Sequence, residues 1–380
     1  MKKEQKIALY IHIPFCRKKC PYCSFLSIAY DRKLADSYIE LLGNTFPAEG
    51  SAKISTIYIG GGTPTVLNMS QLKKLFKFLS KYKSRNVEFT IEANPESITA
   101  EKLKLFFDAG VNRLSIGVQS LTDGRLAELG RVHNSETALN AVLLAYRSGF
   151  RDINVDFMAG LPKDESDPIS KEIKKLTSLP ITHFSFYILS YEKGTLFYRD
   201  MKSGQVVKIS DETASDIYSR MACLLEKKGF RHYEVSNFAK KGFECRHNLN
   251  YWSNGPYIGL GPSACSYVNG VRSRNTSDLL KYIDNVRRNR KIISFQEKLS
   301  PERRAGETAA FKIRTADGIN FAWFKEKTGF DLMETKKGVI DKHVNEGLLR
   351  YRKRKGKATG IFITKKGFLL CDLISSSFLN

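Results

Sequence analysis

The chain has 380 residues, 42% of them hydrophobic and 27% charged, with a formal net charge of +23. No run of 18 apolar residues occurs, which excludes a transmembrane helix, and seven cysteines, three of them clustered, exclude a disulfide framework and suit a reducing cytoplasm. The basic excess favours anionic partners (nucleic acid, acidic headgroups or small carboxylates) without choosing among them.

The opening MKKEQKIALYIHIPF joins a basic start to an apolar run. That run carries His12 and Pro14 and ends in cysteines instead of a small-residue cleavage site, so it reads as a first strand and not as a secretory signal. Strands rich in Val, Ile, Phe and Tyr are predicted over 7–13, 55–59, 87–92, 113–118, 153–158 and 182–189. Between the second and third, Leu72, Leu75, Phe76 and Leu79 recur at helical spacing, with Ser70 as the expected N-cap. Further helices are predicted over 136–146 and around 169–176, the latter opened by Asp167 and Pro168 in N-cap and N1 positions.

Such β–α repetition implies parallel strands, right-handed crossovers and helices on one outer face, as an open doubly wound sheet or an incomplete barrel. In either case ligand groups gather beyond the carboxyl ends of the strands. The cysteines follow strand one, the glycines follow strand two, Glu92 closes strand three, Gln119 follows strand four and Asp156 lies near the end of strand five. These placements point to one site.

A helix is expected over 210–230, with Ile217, Met221, Leu224 and Leu225 on one face. Residues 233–267 read as irregular, too polar for simple core and too aromatic for a linker. A basic helix follows over 278–290, then helices over 302–312, 321–328 and 341–348. A hairpin and a short helix complete a compact C-terminal domain.

Cys16, Cys20 and Cys23 form a C-x-x-x-C-x-x-C run in HIPFCRKKCPYCSF. A structural zinc site needs a second pair of ligands, and Cys223, Cys245, Cys265 and Cys371 are scattered. Three thiolates on one loop satisfy three irons of a 4Fe–4S cubane and leave the fourth open. Tyr22 and Phe25 are expected to wall the cluster from water. Downstream, Gly60-Gly61-Gly62-Thr63-Pro64 allows close backbone approach to a ligand, without being a P-loop or a GxGxxG fingerprint. Glu92 in TIEANPE, Gln119 in RLSIGVQS, Arg131 in ELGRVH and Asp156 in NVDFMAGLP add groups that can pair with a carboxylate, an ammonium or ribose hydroxyls.

The cysteine run after a first strand resembles the radical S-adenosylmethionine superfamily, in which the open iron chelates the cofactor's amino and carboxylate groups. The order GGGTP, ExNP, GVQS, GRxH, DxxxGLP resembles the oxygen-independent coproporphyrinogen III oxidase family and, within it, the HemW-like branch of heme chaperones. The resemblance runs over almost the whole chain. It implies an incomplete (β/α)6 barrel over residues 1–210, a barrel extension over 211–298 and a winged-helix-like α+β domain over 299–380. Carried over by motif, the S-adenosylmethionine contacts are Tyr10, Gly61, Gly62, Thr63, Glu92, Gln119, Arg131 and Asp156.

The oxidases resembled here carry another cysteine where this chain has Phe25, and a longer arm before the first strand, which argues against propionate decarboxylation. His247-Asn248-Leu249-Asn250-Tyr251-Trp252 resembles the HNxxYW heme-binding motif of the HemW-like branch, with His247 as the expected ligand of heme iron. The resemblance implies heme capture and delivery to an apo-hemoprotein, such as a respiratory one, with an electron donor for the cluster, a cytoplasmic location and peripheral membrane contact left open. His12, His133, His183 and His232 read as satisfied structural histidines, and Cys245 as a buried thiol. Two alternatives stand beside this reading. One is the oxidase itself; the other is a radical RNA-modifying enzyme, for which the basic run 350–357 could track phosphates.

Overall fold

The computed structural model describes residues 6–46, 53–82 and 86–379; residues 1–5, the basic start weighed against a secretory signal, lie outside them. The predicted strands are present as β1 (Lys6–Ile13), β2 (Lys53–Gly61), β3 (Glu88–Ala93), β4 (Arg113–Gln119), β5 (Asp152–Ala159) and β6 (His183–Ile188). They lie side by side in chain order, and every neighbouring pair is parallel.

Strand periodicity divides each of them into two faces. Leu9, Ile11 and Ile13 of β1, Ile57 and Ile59 of β2, Ile91 of β3, and Leu114 and Ile116 of β4 join one hydrophobic core. Ala35, Leu72, Leu103, Val142 and Ile173, from the helices that follow successive strands, complete that core. The other face carries Tyr10, His12, Tyr58, Glu92, Arg113, Ser115, Asn154, Asp156 and Ser185, which line the concave interior. Burying a Leu or Ile side chain contributes about 1.5–3 kcal/mol. The outer face therefore holds the sheet against its helices, while the inner face leaves its polar side chains lining open space.

The sheet continues past both ends of this series. Beyond β6 come two antiparallel strands, β7 (Arg231–Glu234) and β8 (Asn237–Ala239). Beyond β1 lie β9 (Tyr257–Leu260), parallel to it, then β10 (Cys265–Val268), β11 (Val271–Asn275) and β12 (Ile293–Lys298), all antiparallel. The outer strands β12 and β7 do not pair, so the barrel is partial. A second core, built on Ala309, Phe324, Ile340, Leu349, Ile361 and Ile374, unites the helices after residue 300 with a three-stranded sheet. In that sheet the basic run sits on the exposed hairpin Leu349–Arg354/Lys357–Ile363.

Several predicted boundaries need correction. The helix Met69–Leu79 is capped by Asn68, not Ser70: Asn68 Oδ1 accepts from Gln71 N and Gln71 Oε1 accepts from Asn68 N, each at 3.0 Å. The helix Ser166–Thr177 starts before Asp167, with Glu165 at the cap and Pro168 inside the first turn, where no N–H is required. The helix predicted over 341–348 spans Leu332–Asn345, capped by Asp331, and Lys336 departs from helical angles within it. The segment read as irregular takes in the end of β7, all of β8 and β9, most of β10 and the helix Arg246–Trp252.

Candidate functional site

Past Pro14, the pair Phe15–Cys16 runs parallel to Ile28–Ala29, and this small ladder closes a loop holding all three clustered cysteines. Cys23 N donates to Cys20 O at 3.1 Å, and Phe197 N donates to Pro21 O at 3.0 Å, which ties the loop to the far end of the barrel. The glycine turn after β2 is stitched beneath it. Gly62 N donates to Ile13 O (2.8 Å) and Thr63 N to Phe15 O (2.7 Å). A Cβ on Gly62 would lie 2.6 Å from Phe15 O and 3.0 Å from Cys16 Sγ; one on Gly61, where φ is +113°, would lie 2.5 Å from the His12 ring. The consecutive glycines are thus required by the approach of two loops.

The thiols of Cys16 and Cys23 are pushed up by burial, so thiolates here need a cationic partner. Thr63 Oγ1 donates to Cys16 Sγ (3.5 Å) and Arg131 Nη1 to Cys20 Sγ (3.6 Å). Among the described residues no three His, Cys, Asp or Glu side chains form a group for a single metal ion. A cubane gives each cysteine its own iron, and three half-buried thiols on one pinned loop fit that demand. Phe25 lines the cavity beside the loop together with Tyr22 and Cys23. It lies past the last cysteine and is 64% exposed, while Tyr22 packs on Phe197 at a ring distance of 6.5 Å.

Beside the loop, a cavity of about 450 Å³ opens at the carboxyl ends of the strands. It gathers Cys23, Gly61, Gly62, Thr63, Glu92, Gln119, Arg131 and Asp156, so all the expected contacts but Tyr10 meet in one place. Glu92 accepts from Tyr58 OH (2.8 Å) and Gly61 N (3.1 Å), and burial, with the carboxylate of Asp156 adding to it, raises its pKa to about 7. Asp156 accepts from Asn154 Nδ2 (2.8 Å) and Ser115 Oγ (3.3 Å), and burial raises it too. Arg131 Nη2 donates to Asn94 Oδ1 (2.7 Å) and Gly117 O (3.0 Å). Gln119 sits in the left-handed region at φ +66°, and its buried Oε1 has no partner, as expected of a group held for a ligand.

A second cavity, of about 630 Å³, adjoins the first; Ser24, Phe25, Tyr58, Gly61, Glu92 and Asn248 line both. Tyr10 faces this one, its hydroxyl 3.0 Å from His12 Nδ1. His247 also lines it, presented by the helix Arg246–Trp252, whose first amides donate to Glu88 of β3: Arg246 N at 2.8 Å and His247 N at 2.9 Å. The imidazole is buried, which lowers its pKa to about 3, with Arg113 adding to the effect, and it is neutral. Both ring nitrogens are engaged, Nδ1 with Thr56 Oγ1 (2.7 Å) and Nε2 with Tyr251 OH (2.9 Å). Tyr251, Trp252, Tyr257 and Phe311 continue the wall, so the cavity is largely aromatic.

The other histidines are satisfied as expected. His12 Nε2 meets Leu26 O (2.9 Å), His133 lies between Glu96 and Val118 O, His183 between Asn154 and Tyr233, and His232 beside Tyr218 OH. Cys245 is buried and donates to Glu88. Sequence reasoning missed Tyr58, Asn94, Arg113 and Asn154, which line the cavity beside the cysteine loop. Strand parity could have found three of them: Tyr58 shares its face with Gly60, Arg113 with Ser115, and Asn154 with Asp156.

The profile of the Radical SAM superfamily matches residues 10–176. The chain is 35% identical to the heme chaperone HemW of Bacillus subtilis (strain 168) over 98% of each chain. It is 38% identical to the heme chaperone HemW of Escherichia coli (strain K12) over 70% of this chain and 71% of that one. Among solved structures, coproporphyrinogen III oxidase (HemN) from Escherichia coli, a radical SAM enzyme, shares the fold with a TM-score of 0.84 at 22% identity, covering 99% of this chain and 90% of that one.

Proposed function

For this chain, which belongs to the radical SAM superfamily and to the family of HemW heme chaperones, we propose heme capture in the cavity around His247 and delivery to an apo-hemoprotein. The observation that carries this reading is likeness to HemW over the full length, joined to an aromatic cavity next to the cysteine loop. Its volume lies in the range of small-molecule sites, about 300–1,000 Å³.

In this reading Cys16, Cys20 and Cys23 hold the 4Fe–4S cluster, which when bound supplies one-electron chemistry to S-adenosylmethionine. Gly61, Gly62 and Thr63 bring backbone up to the cofactor, Arg131 pairs with its carboxylate, and Glu92, Gln119 and Asp156 receive its ammonium and hydroxyl groups. Tyr10 contacts it from the side of the neighbouring cavity. His247 ligates heme iron once the hydroxyl of Tyr251 turns away from Nε2, and Thr56 keeps Nδ1 engaged so that the ring stays oriented. We read residues 1–210 as the barrel, 211–298 as its extension and 299–380 as a winged-helix-like domain. We assign the protein to the cytoplasm, with an external electron donor and peripheral membrane contact at delivery; no helix among the described residues is long and apolar enough to cross a membrane.

The test is anaerobic cluster reconstitution followed by heme titration with and without S-adenosylmethionine. Saturable binding, transfer to an apo-hemoprotein and loss of most of the Soret change in His247→Ala are expected. Absence of heme binding by the wild-type protein would overturn the function, and unchanged binding in the variant would overturn the ligand. Release of carbon dioxide from coproporphyrinogen III under the same conditions would favour the oxidase instead.

A further inference from the structure

Heme is an apolar disc with two carboxylates on one edge, so a cavity that receives it needs a cation where that edge comes to rest. Among the described residues lining the cavity around His247, Arg274 is the single Lys or Arg. Of the two lining imidazoles, His247 is the iron ligand in the heme reading, and His12 is already engaged by Tyr10 OH and Leu26 O. Glu92 stands on the wall shared with the cofactor cavity, an acid that disfavours a carboxylate at that end.

Arg274 lies on β11 directly across from Cys265 of β10, another lining residue, and its side chain is exposed. Its neighbour on the same face, Arg272, is already neutralised, by Glu307 at 2.6 Å and Glu297 at 3.1 Å. Among the described residues no carboxylate or hydrogen-bond acceptor meets the guanidinium of Arg274. Two arginines on one face of one strand are therefore in opposite states, and the uncommitted one faces the cavity. Phe25, 64% exposed, lines the same cavity and offers apolar surface for the disc to cover.

We propose that Arg274 is the propionate anchor of this cavity, pairing with a carboxylate of bound heme and so fixing the carboxylate edge at the mouth and the iron toward His247. The inference rests on the heme reading above and adds an orientation to it.

The test titrates the full-length reconstituted protein with hemin and with hemin dimethyl ester, which lacks the carboxylate charges. Wild-type protein should prefer hemin. Arg274→Gln should weaken hemin about tenfold and leave the ester unchanged, so that the preference disappears. Arg274→Lys should recover part of it, and at saturation Arg274→Gln should keep the wild-type Soret maximum because His247 is untouched. Equal weakening of hemin and ester, or no weakening of either, would overturn the anchor while leaving the heme site standing. A wild-type protein that binds neither compound would overturn both.

Discussion

The two adjoining cavities are built on different plans. The cofactor cavity takes its groups from the ends of consecutive strands, where Glu92, Gln119 and Asp156 stand on β3, β4 and β5, each fixed by local β–α geometry. The cavity around His247 is assembled by chain that returns: the helix Arg246–Trp252 comes back beneath β2, β10 and β11 extend the sheet past β1, and Phe311 arrives from a helix of the second core. The first lines its space with many fixed polar groups. The second offers aromatic walls, two buried imidazoles (His12 and His247) and one uncommitted cation. Gripping a small zwitterion calls for the first plan, whereas receiving and releasing a flat apolar cargo calls for the second.

The separation can be tested by injuring one cavity and reading the other. The largest effect is expected for Cys16→Ser, Cys20→Ser or Cys23→Ser. Each should abolish the iron–sulfur absorbance after reconstitution and S-adenosylmethionine binding with it, while heme affinity stays within about twofold. A parallel loss of heme binding would show that the cavities are not separable. In the opposite direction, His247→Ala should weaken heme at least about tenfold and leave cluster content unchanged, read as Soret absorbance against bound iron and sulfide.

A pH series sharpens the cofactor side. Burial raises the Glu92 carboxyl to about 7, and in the proposed function its ionised form accepts from the cofactor. Binding must therefore drive off a proton below that pH, so affinity should fall by up to about tenfold per pH unit there and level off above it. Glu92→Gln should flatten the profile in isothermal titration. The smallest effect is expected for Tyr251→Phe, which removes the hydroxyl capping His247 Nε2. Heme affinity should rise about threefold, a modest gain because one net hydrogen bond is at stake; a fall would mean that Tyr251 holds the heme instead.

Strand parity and the clustering of polar residues at strand ends made the barrel and most of the cofactor cavity legible in the sequence. Leu9, Ile11 and Ile13 alternate with Tyr10 and His12, and the same alternation recurs in every unit. What escaped had competing local signals. Asn68 and Ser70 are both good caps, and the reciprocal bond with Gln71 decides for Asn68. Gly338 interrupts the apolar rhythm of Leu332–Asn345, so the local pattern marks only its end. The stretch from 233 to 267 owes its strands to pairing with β6 and β1, residues distant in the chain, and its helix to the carboxylate of Glu88. Neither influence is written in the local pattern. The engagement of both nitrogens of His247 likewise depends on Thr56, which lies 191 residues away.

Tyr58 and Glu92 face both cavities, and one hydrogen bond joins them. A guest that draws on Glu92 from one side alters what Tyr58 presents to the other. Thermodynamic reciprocity then fixes a constraint: whatever factor S-adenosylmethionine imposes on the affinity for heme, heme must impose on the affinity for S-adenosylmethionine. If the factor is below one, loading the cofactor expels the cargo; above one, it retains it. Either titration alone reveals which way the protein is wired.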